Sequence, residues 1–263
     1  MASRRRLGYD RVDAEQREAR GVRLRRRHAP VDLRRAWESQ AEAWARWART
    51  PGHDSYHHFH RDRFLELLPQ PGRLTVDVGC GEGRLGRDLM NRGHRVTGID
   101  GSPTLARMAG DAEPSQLTVV ADAARLPLGG GVADLVVAMV SLQDIDDLEG
   151  SVAEVARILQ PDGRFCFSVV HPMTSAGDFS GAEADSPWVM TGSYFAVRSY
   201  SDDVERDGLR MTFTSVHRPL EAFSRALEGA GLLVEAVREV SPQDPSTRWS
   251  RLPGFLHVRA VKR

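Results

Sequence analysis

The run Leu74-Thr-Val-Asp-Val-Gly-Cys-Gly-Glu-Gly-Arg-Leu-Gly-Arg-Asp-Leu89 constrains the fold of this chain more than any other segment. Leu74, Val76 and Val78 predict a buried strand, and Gly79, Gly81 and Gly83 a turn whose backbone geometry excludes a Cβ; the remainder opens a helix. Such a turn lets a small polar ligand lie on main-chain amides at a helix N-terminus. Asp77 is the exception in the apolar strand, because a buried carboxylate needs a partner. It either accepts from the turn's amides or faces a cationic ligand group, such as an amino acid's ammonium. The glycines alone also leave a dinucleotide ligand open. Gly81, Gly83 and Gly86 have the G-x-G-x-x-G spacing, and Asp100 falls near the distance at which that motif binds a ribose.

The segments that follow separate these ligands. Arg95–Asp100 predicts a second strand ending in an acid, followed by Gly101, Ser102 as a helix N-cap and Pro103 at the first helical position. Leu117–Asp122 ends in another acid, and Ala133–Val140 runs into Ser141-Leu-Gln-Asp144. A helix with Leu148, Val152, Val155 and Leu159 at helical spacing stops at the turn Gln160–Gly163, before a strand over 164–170. Asp146 and Asp147 are expected to cap that helix. Alternating strands and helices predict a mostly parallel sheet covered on both faces, with ligands at the carboxyl ends of its strands.

These motifs, in this order, resemble the class I S-adenosylmethionine-dependent methyltransferases, in particular the small-molecule branch of the ubiquinone-biosynthesis type. The resemblance is strong over residues 72–170 and looser beyond. It implies an α/β fold with a Rossmann-like, doubly wound, seven-stranded sheet, mostly parallel with a C-terminal antiparallel strand. N-terminal helices and a cap insertion complete it. By resemblance, Val76–Gly83 is the first cofactor motif, Asp100 binds the ribose hydroxyls, and Asp122 and Ala123 read the adenine. The turn Leu159–Phe165 matches the family's entry to the fifth strand. Family members fold N-terminal helices over the cofactor, which makes Tyr56, His57 and Arg61 candidates there, Arg61 for the cofactor's carboxylate. The cofactor-binding set is Tyr56, Arg61, Asp77, Gly79, Cys80, Gly81, Gly83, Asp100, Gly101, Ser102, Asp122, Ala123, Val140 and Ser141.

The domain reading has three parts: a basic extension over 1–30, an N-terminal helical lid over 31–70, and the methyltransferase domain over 71–263. Residues 171–218 are a cap insertion too long for an idle connection, with Trp188, Tyr194, Phe195 and Tyr200 suited to an apolar substrate pocket. His171 and His217 flank the cap, and His is well matched to taking a proton near neutral pH. Asp144 stands where many relatives carry a histidine. These three are the catalytic candidates, for in-line transfer of the sulfonium methyl to oxygen, nitrogen or carbon of a small molecule.

Charge is balanced overall, but the first 35 residues carry twelve arginines against five acids. That arm could suggest nucleic acid. The acidic remainder and the absence of an Asn/Asp-Pro-Pro-aromatic motif after the fourth strand argue against it. Lys262 is the only lysine, a mark of GC-rich coding. Two cysteines give no disulfide framework, and no apolar run reaches membrane-spanning length, so a cytoplasmic monomer or homodimer is expected. The histidines over 52–61 lack metal-ligand spacing, and no metal is expected. A non-catalytic S-adenosylmethionine-binding module and an NAD(P)-dependent oxidoreductase remain the alternatives.

Overall fold

The structure, a computed structural model, describes residues 32–263. The arginine-rich extension, and the helix expected from Asp10 to Arg27, lie outside the described residues. The first helix, α1 (Leu33–Arg49), starts at Asp32, whose carboxylate accepts from the Arg35 amide. It buries Leu33, Ala41, Ala45, Trp47 and Ala48 on one face. A π-helical turn, Tyr56–His60, then leads into the short helix α2 (Arg61–Leu65).

The sheet begins with β1 (Thr75–Val78), followed by α3 (Arg84–Asn91), β2 (Val96–Asp100), α4 (Pro103–Ala112), β3 (Leu117–Val120) and β4 (Ala133–Met139). After it come α5 (Leu148–Ile158), β5 (Leu159–Val170) and α6 (Pro172–Ser175). Two hairpins fill the cap segment, β6 (Gly177–Phe179) with β7 (Trp188–Met190), and β8 (Arg198–Arg206) with β9 (Leu209–His217). The chain ends with α7 (Leu220–Gly229), β10 (Leu232–Val240) and β11 (Phe255–Lys262).

Seven strands form one sheet in the order β10-β11-β5-β4-β1-β2-β3. All run parallel except β11, which inserts antiparallel between β5 and β10. The two faces of the sheet alternate along the strands as the pleat requires. On one face Val76, Val136 and Ala138 pack with Leu148, Val152 and Val155 of α5 and Phe223 and Leu227 of α7. On the other, Leu135, Val137 and Cys166 pack with Phe64, Leu85 and Leu89. The turn at Gln160–Gly163 is looped out of β5, because Ala133 pairs with Leu159 and Leu135 already with Arg164. Asp162 in that loop has φ 61°.

The cap is more ordered than a loop. β8 and β9 pair over nine residues each, closed by Asp207-Gly208 with φ of 50° and 78°. Both values suit the tight hairpin turn that Asp-Gly favours. Phe213 of β9 meets Trp37, Trp44 and Trp47 of α1 edge-on. No helix among the described residues is long and apolar enough to cross a membrane.

Candidate active site

A cavity of about 1930 Å³ opens at the carboxyl ends of the parallel strands. Its floor is the glycine turn, and its walls come from α1, the π-helical turn, the two cap hairpins and the segment between β10 and β11. Asp77, Gly79, Cys80, Gly81, Asp100, Gly101 and Ser102 line one part of it, with Asp122, Ala123, Val140 and Ser141 nearby. Sequence distance disappears here because each of these residues follows, ends or lies within a neighbouring strand of one sheet.

The glycine turn works by making room rather than by offering amides. The amides of Gly79 and Cys80 both donate to Ile99 O, that of Gly83 to Cys80 O, and that of Gly81 to Asp100 Oδ2 at 2.8 Å. Gly79 has φ 74°, and a Cβ there would lie 2.4 Å from the Ser141 Cβ. Gly83, with φ 87°, packs against Ala109 of α4 and does not itself line the cavity. The expectation that a ligand lies on these amides is therefore corrected for these four, which already have protein acceptors.

What the turn leaves unanswered is an acceptor. Asp77 is 1% exposed, and its Oδ2 has no hydrogen-bond partner. Burial, with the Asp100 carboxylate close by, pushes its pKa up to about 7. Such a group waits for a positive charge or a donor. Asp100 itself accepts from the Gly81 and Ser102 amides, which holds its two oxygens in place at the end of β2, and burial raises its pKa. Ser102 caps α4 through the Leu105 amide. Asp122 is exposed and accepts from the Ala124 amide.

Val140 closes β4 with φ 55°, an uncommon conformation for a β-branched residue, held by its amide on Ser168 O and its carbonyl on Gln143 Nε2. This bend brings Ser141 over Gly79 and turns the chain so that Asp144 faces the cavity. Asp144 accepts from the Ser215 hydroxyl and from Gln143 Nε2, and burial pushes its pKa up to about 8.

The other two catalytic candidates lie off the cavity. His171 caps α6 by accepting from the Met173 amide, and its Nε2 lies 3.1 Å from Glu239. His217 is fully buried, with Nδ1 on the Ser175 hydroxyl and Nε2 on Tyr194 O. His217 ties the two ends of the cap together, and His171 ties its start to β10. Tyr56 and Arg61 are also off the cavity. The Tyr56 hydroxyl donates to Asp88, and Arg61 pairs with Asp62 and, at 3.9 Å, with Asp88. His57 packs on Tyr56. Of the expected capping pair, Asp147 caps α5, whereas Asp146 accepts from the Leu33 amide at 3.3 Å.

Three cavity residues were not singled out in the sequence. Arg84 lies over the rings of Trp44 and Tyr56 and pairs with Asp54. His60 stacks on Phe255, with Nε2 2.8 Å from Ser168 Oγ, and burial drives its pKa well below the ordinary range. Gln143 is the third. Arg84 had a signal, a base in the first turn after the glycines; His60 was one histidine of four in a short run.

Comparison with known proteins agrees with this geometry. Residues 76–167 match a family model described as a methyltransferase domain. A ubiquinone biosynthesis O-methyltransferase of Methylobacterium sp. (strain 4-46) is 30% identical over 193 residues, 70% of each chain. A malonyl-[acyl-carrier protein] O-methyltransferase of Geobacter sulfurreducens is 38% identical over 117 residues, 41% of this chain; the match spans only 43% of that relative's length. A solved S-adenosylmethionine-dependent methyltransferase from Mesorhizobium loti is 26% identical with a TM-score of 0.63, over 76% of this chain and 96% of its own. The described fold, the glycine turn beneath a buried acid and these relatives place the chain in the class I S-adenosylmethionine-dependent methyltransferase family, whose cofactor is S-adenosylmethionine.

Proposed function

We propose that this chain transfers the methyl group of S-adenosylmethionine to a small-molecule acceptor held between the strand ends and the cap hairpins. The observation that carries the reading is the unpartnered Asp77 Oδ2, buried beside a turn whose glycines leave space for a ligand. The residues present fit the cofactor. Asp77 would take its ammonium, Asp100 the ribose hydroxyls, and Asp122 with the Ala123 amide the adenine. The cavity volume of about 1930 Å³ exceeds the roughly 300–1,000 Å³ of an ordinary ligand site, as two ligands side by side require.

When bound, the cofactor supplies a methyl group already activated on a sulfonium. The protein's contribution is then alignment, exclusion of water and proton handling. Alignment can lower the barrier by roughly 7–11 kcal/mol. α1 acts as a lid: Arg34 donates to Gly101 O, Glu38 accepts from the Thr104 hydroxyl, and Arg49 pairs with Glu82 of the glycine turn. Asp144 is the base for an acceptor that must lose a proton, because it alone of the three candidates lines the cavity. The test is incubation with methyl-labelled S-adenosylmethionine and a panel of small amines, phenols and carboxylic acids. Label in any of them supports the proposal. Bound cofactor without transfer to any class points to a non-catalytic binding module.

A further inference from the structure

The wall around Asp144 bears on what is methylated, given the cofactor site just proposed. Asp144 uses lone pairs for Ser215 Oγ at 2.5 Å, for Gln143 Nε2 at 3.0 Å and for the nearby Trp37 indole N–H. A carboxylate has about four such sites, so acceptor capacity remains. Gln143 is 4% exposed and lines the same cavity. Its Nε2 also donates to Val140 O at 2.6 Å, which fixes the amide's orientation and leaves Oε1 without a partner. With Asp144 ionised, the two side chains together present acceptors and no free donor.

Most of the surroundings have the same sign; the exception, Arg218, is a guanidinium near Asp144 whose N–H groups donate to the carbonyls of Leu142, Ile145 and Asp146. Trp37, Trp44 and Phe213 line the cavity with ring centroids 5.8, 5.9 and 6.3 Å apart, and aromatic faces attract cations. Asp178, Glu183, Asp207 and Asp244 also line the cavity. The arginines that line the cavity are each held by a protein acceptor: Arg34 on Gly101 O, Arg84 on Asp54, Arg206 on Gly52 O and Arg248 on Gly181 O. A negatively lined cleft concentrates cations and repels anions. A phosphate or carboxylate would meet an acceptor surface here, and an alcohol could offer it one hydrogen.

We propose that the methyl acceptor is a primary or secondary amine, bound through its N–H groups to Asp144 and Gln143 beside the Trp37–Phe213 wall. The amine arrives as its ammonium, and one N–H proton passes to an Asp144 carboxylate oxygen. The N–H bonding pair stays on nitrogen as the lone pair that would form the N–C bond to the methyl carbon, while the methyl–sulfur bond breaks and its electron pair stays on sulfur in the thioether that leaves. Burial raises Asp144's affinity for a proton above that of an ordinary carboxylate, so pairing with the ammonium first releases Asp144's own proton to solvent, and the ionised carboxylate then takes up the N–H proton.

The test is calorimetric titration of the full chain, saturated with S-adenosylhomocysteine, with two matched series: tryptamine, tryptophol and indole-3-propionate, and benzylamine, benzyl alcohol and benzoate. The amine of each series should bind at least about tenfold more tightly than its alcohol or acid, the scale of a charge-assisted hydrogen bond. Asp144→Asn should abolish that preference and Gln143→Glu should strengthen it, with S-adenosylhomocysteine affinity unchanged as the control for folding. Equal or tighter binding of the alcohols or acids, no measurable amine binding, or an undiminished preference in Asp144→Asn overturns the proposal. Repeating the titrations without S-adenosylhomocysteine separates the two readings. An amine preference in a chain that fails to bind S-adenosylhomocysteine rejects the cofactor assignment and leaves the amine site standing.

Discussion

Asp77 and Gly79 do opposite work two residues apart. Gly79 is a glycine for two independent reasons, its φ of 74° and the Ser141 side chain in the space a Cβ would need. Gly79→Ala should therefore cost more than about 1 kcal/mol of stability and weaken cofactor binding, as a thermal melt with and without S-adenosylhomocysteine will show. Asp77 is a liability when the cavity is empty. Its folded pKa of about 7, and that of Asp144 at about 8, lie above the roughly 3.9 of a free aspartate. Groups raised in this way contribute stability that is full below about pH 4 and is lost as pH rises through 7 and 8. The melting temperature of the ligand-free protein should fall across that window, and Asp77→Asn should flatten the lower part of the fall. An ammonium that pairs with the ionised form reverses the sign for binding, so cofactor affinity should rise through about pH 7 with release of a proton. Affinities and buffer-dependent heats at pH 6 and pH 8 check this directly.

Among the elements, α1 has the most to answer for. Its residues reach Gly101 and Ser102 just after β2, Thr104 in the first turn of α4, Glu82 in the glycine turn, and Thr214 of the cap through Trp37 Nε1. Glu38→Ala removes the central contact, and release of S-adenosylhomocysteine should become several-fold faster while the fold is kept. Stopped-flow tryptophan fluorescence follows this, since Trp37, Trp44 and Trp47 line the cavity. The sheet elements were readable in the sequence because buried strands and amphipathic helices announce themselves by period: β1 to β5 and α4 with its Ser102 cap lie within a few residues of where the pattern puts them. The hairpin β8–β9 was not read, although Asp207-Gly208 is a strong turn signal. Its strands are mixed in polarity, since they face α1 and a cavity rather than an apolar core. The order of β10 and β11 has no local signature at all. His171 and His217 show the same limit at the site: position beside the cap was legible, but whether their ring nitrogens already had partners depended on Met173, Ser175 and Tyr194.

For the whole molecule, the site exists only where three separate stretches of chain meet: the strand ends, α1 with the π-helical turn, and the cap hairpins with the β10–β11 segment. The first falls within the span matched by the family model, and the proposed function assigns to the other two the choice of what reaches the methyl group. The matched family model covers residues 76–167 and stops before the cap. Exchanging the cap of this chain for that of a relative should change the acceptor and leave cofactor affinity within about threefold. The most direct test of the central assignment is calorimetric titration of S-adenosylhomocysteine into the full chain and into Asp77→Asn. One molecule should bind per chain, at least about tenfold more weakly in the variant, as loss of a charged hydrogen-bond partner requires. Binding of NAD(P) in place of S-adenosylhomocysteine, or an Asp77→Asn affinity equal to that of the native chain, would contradict it.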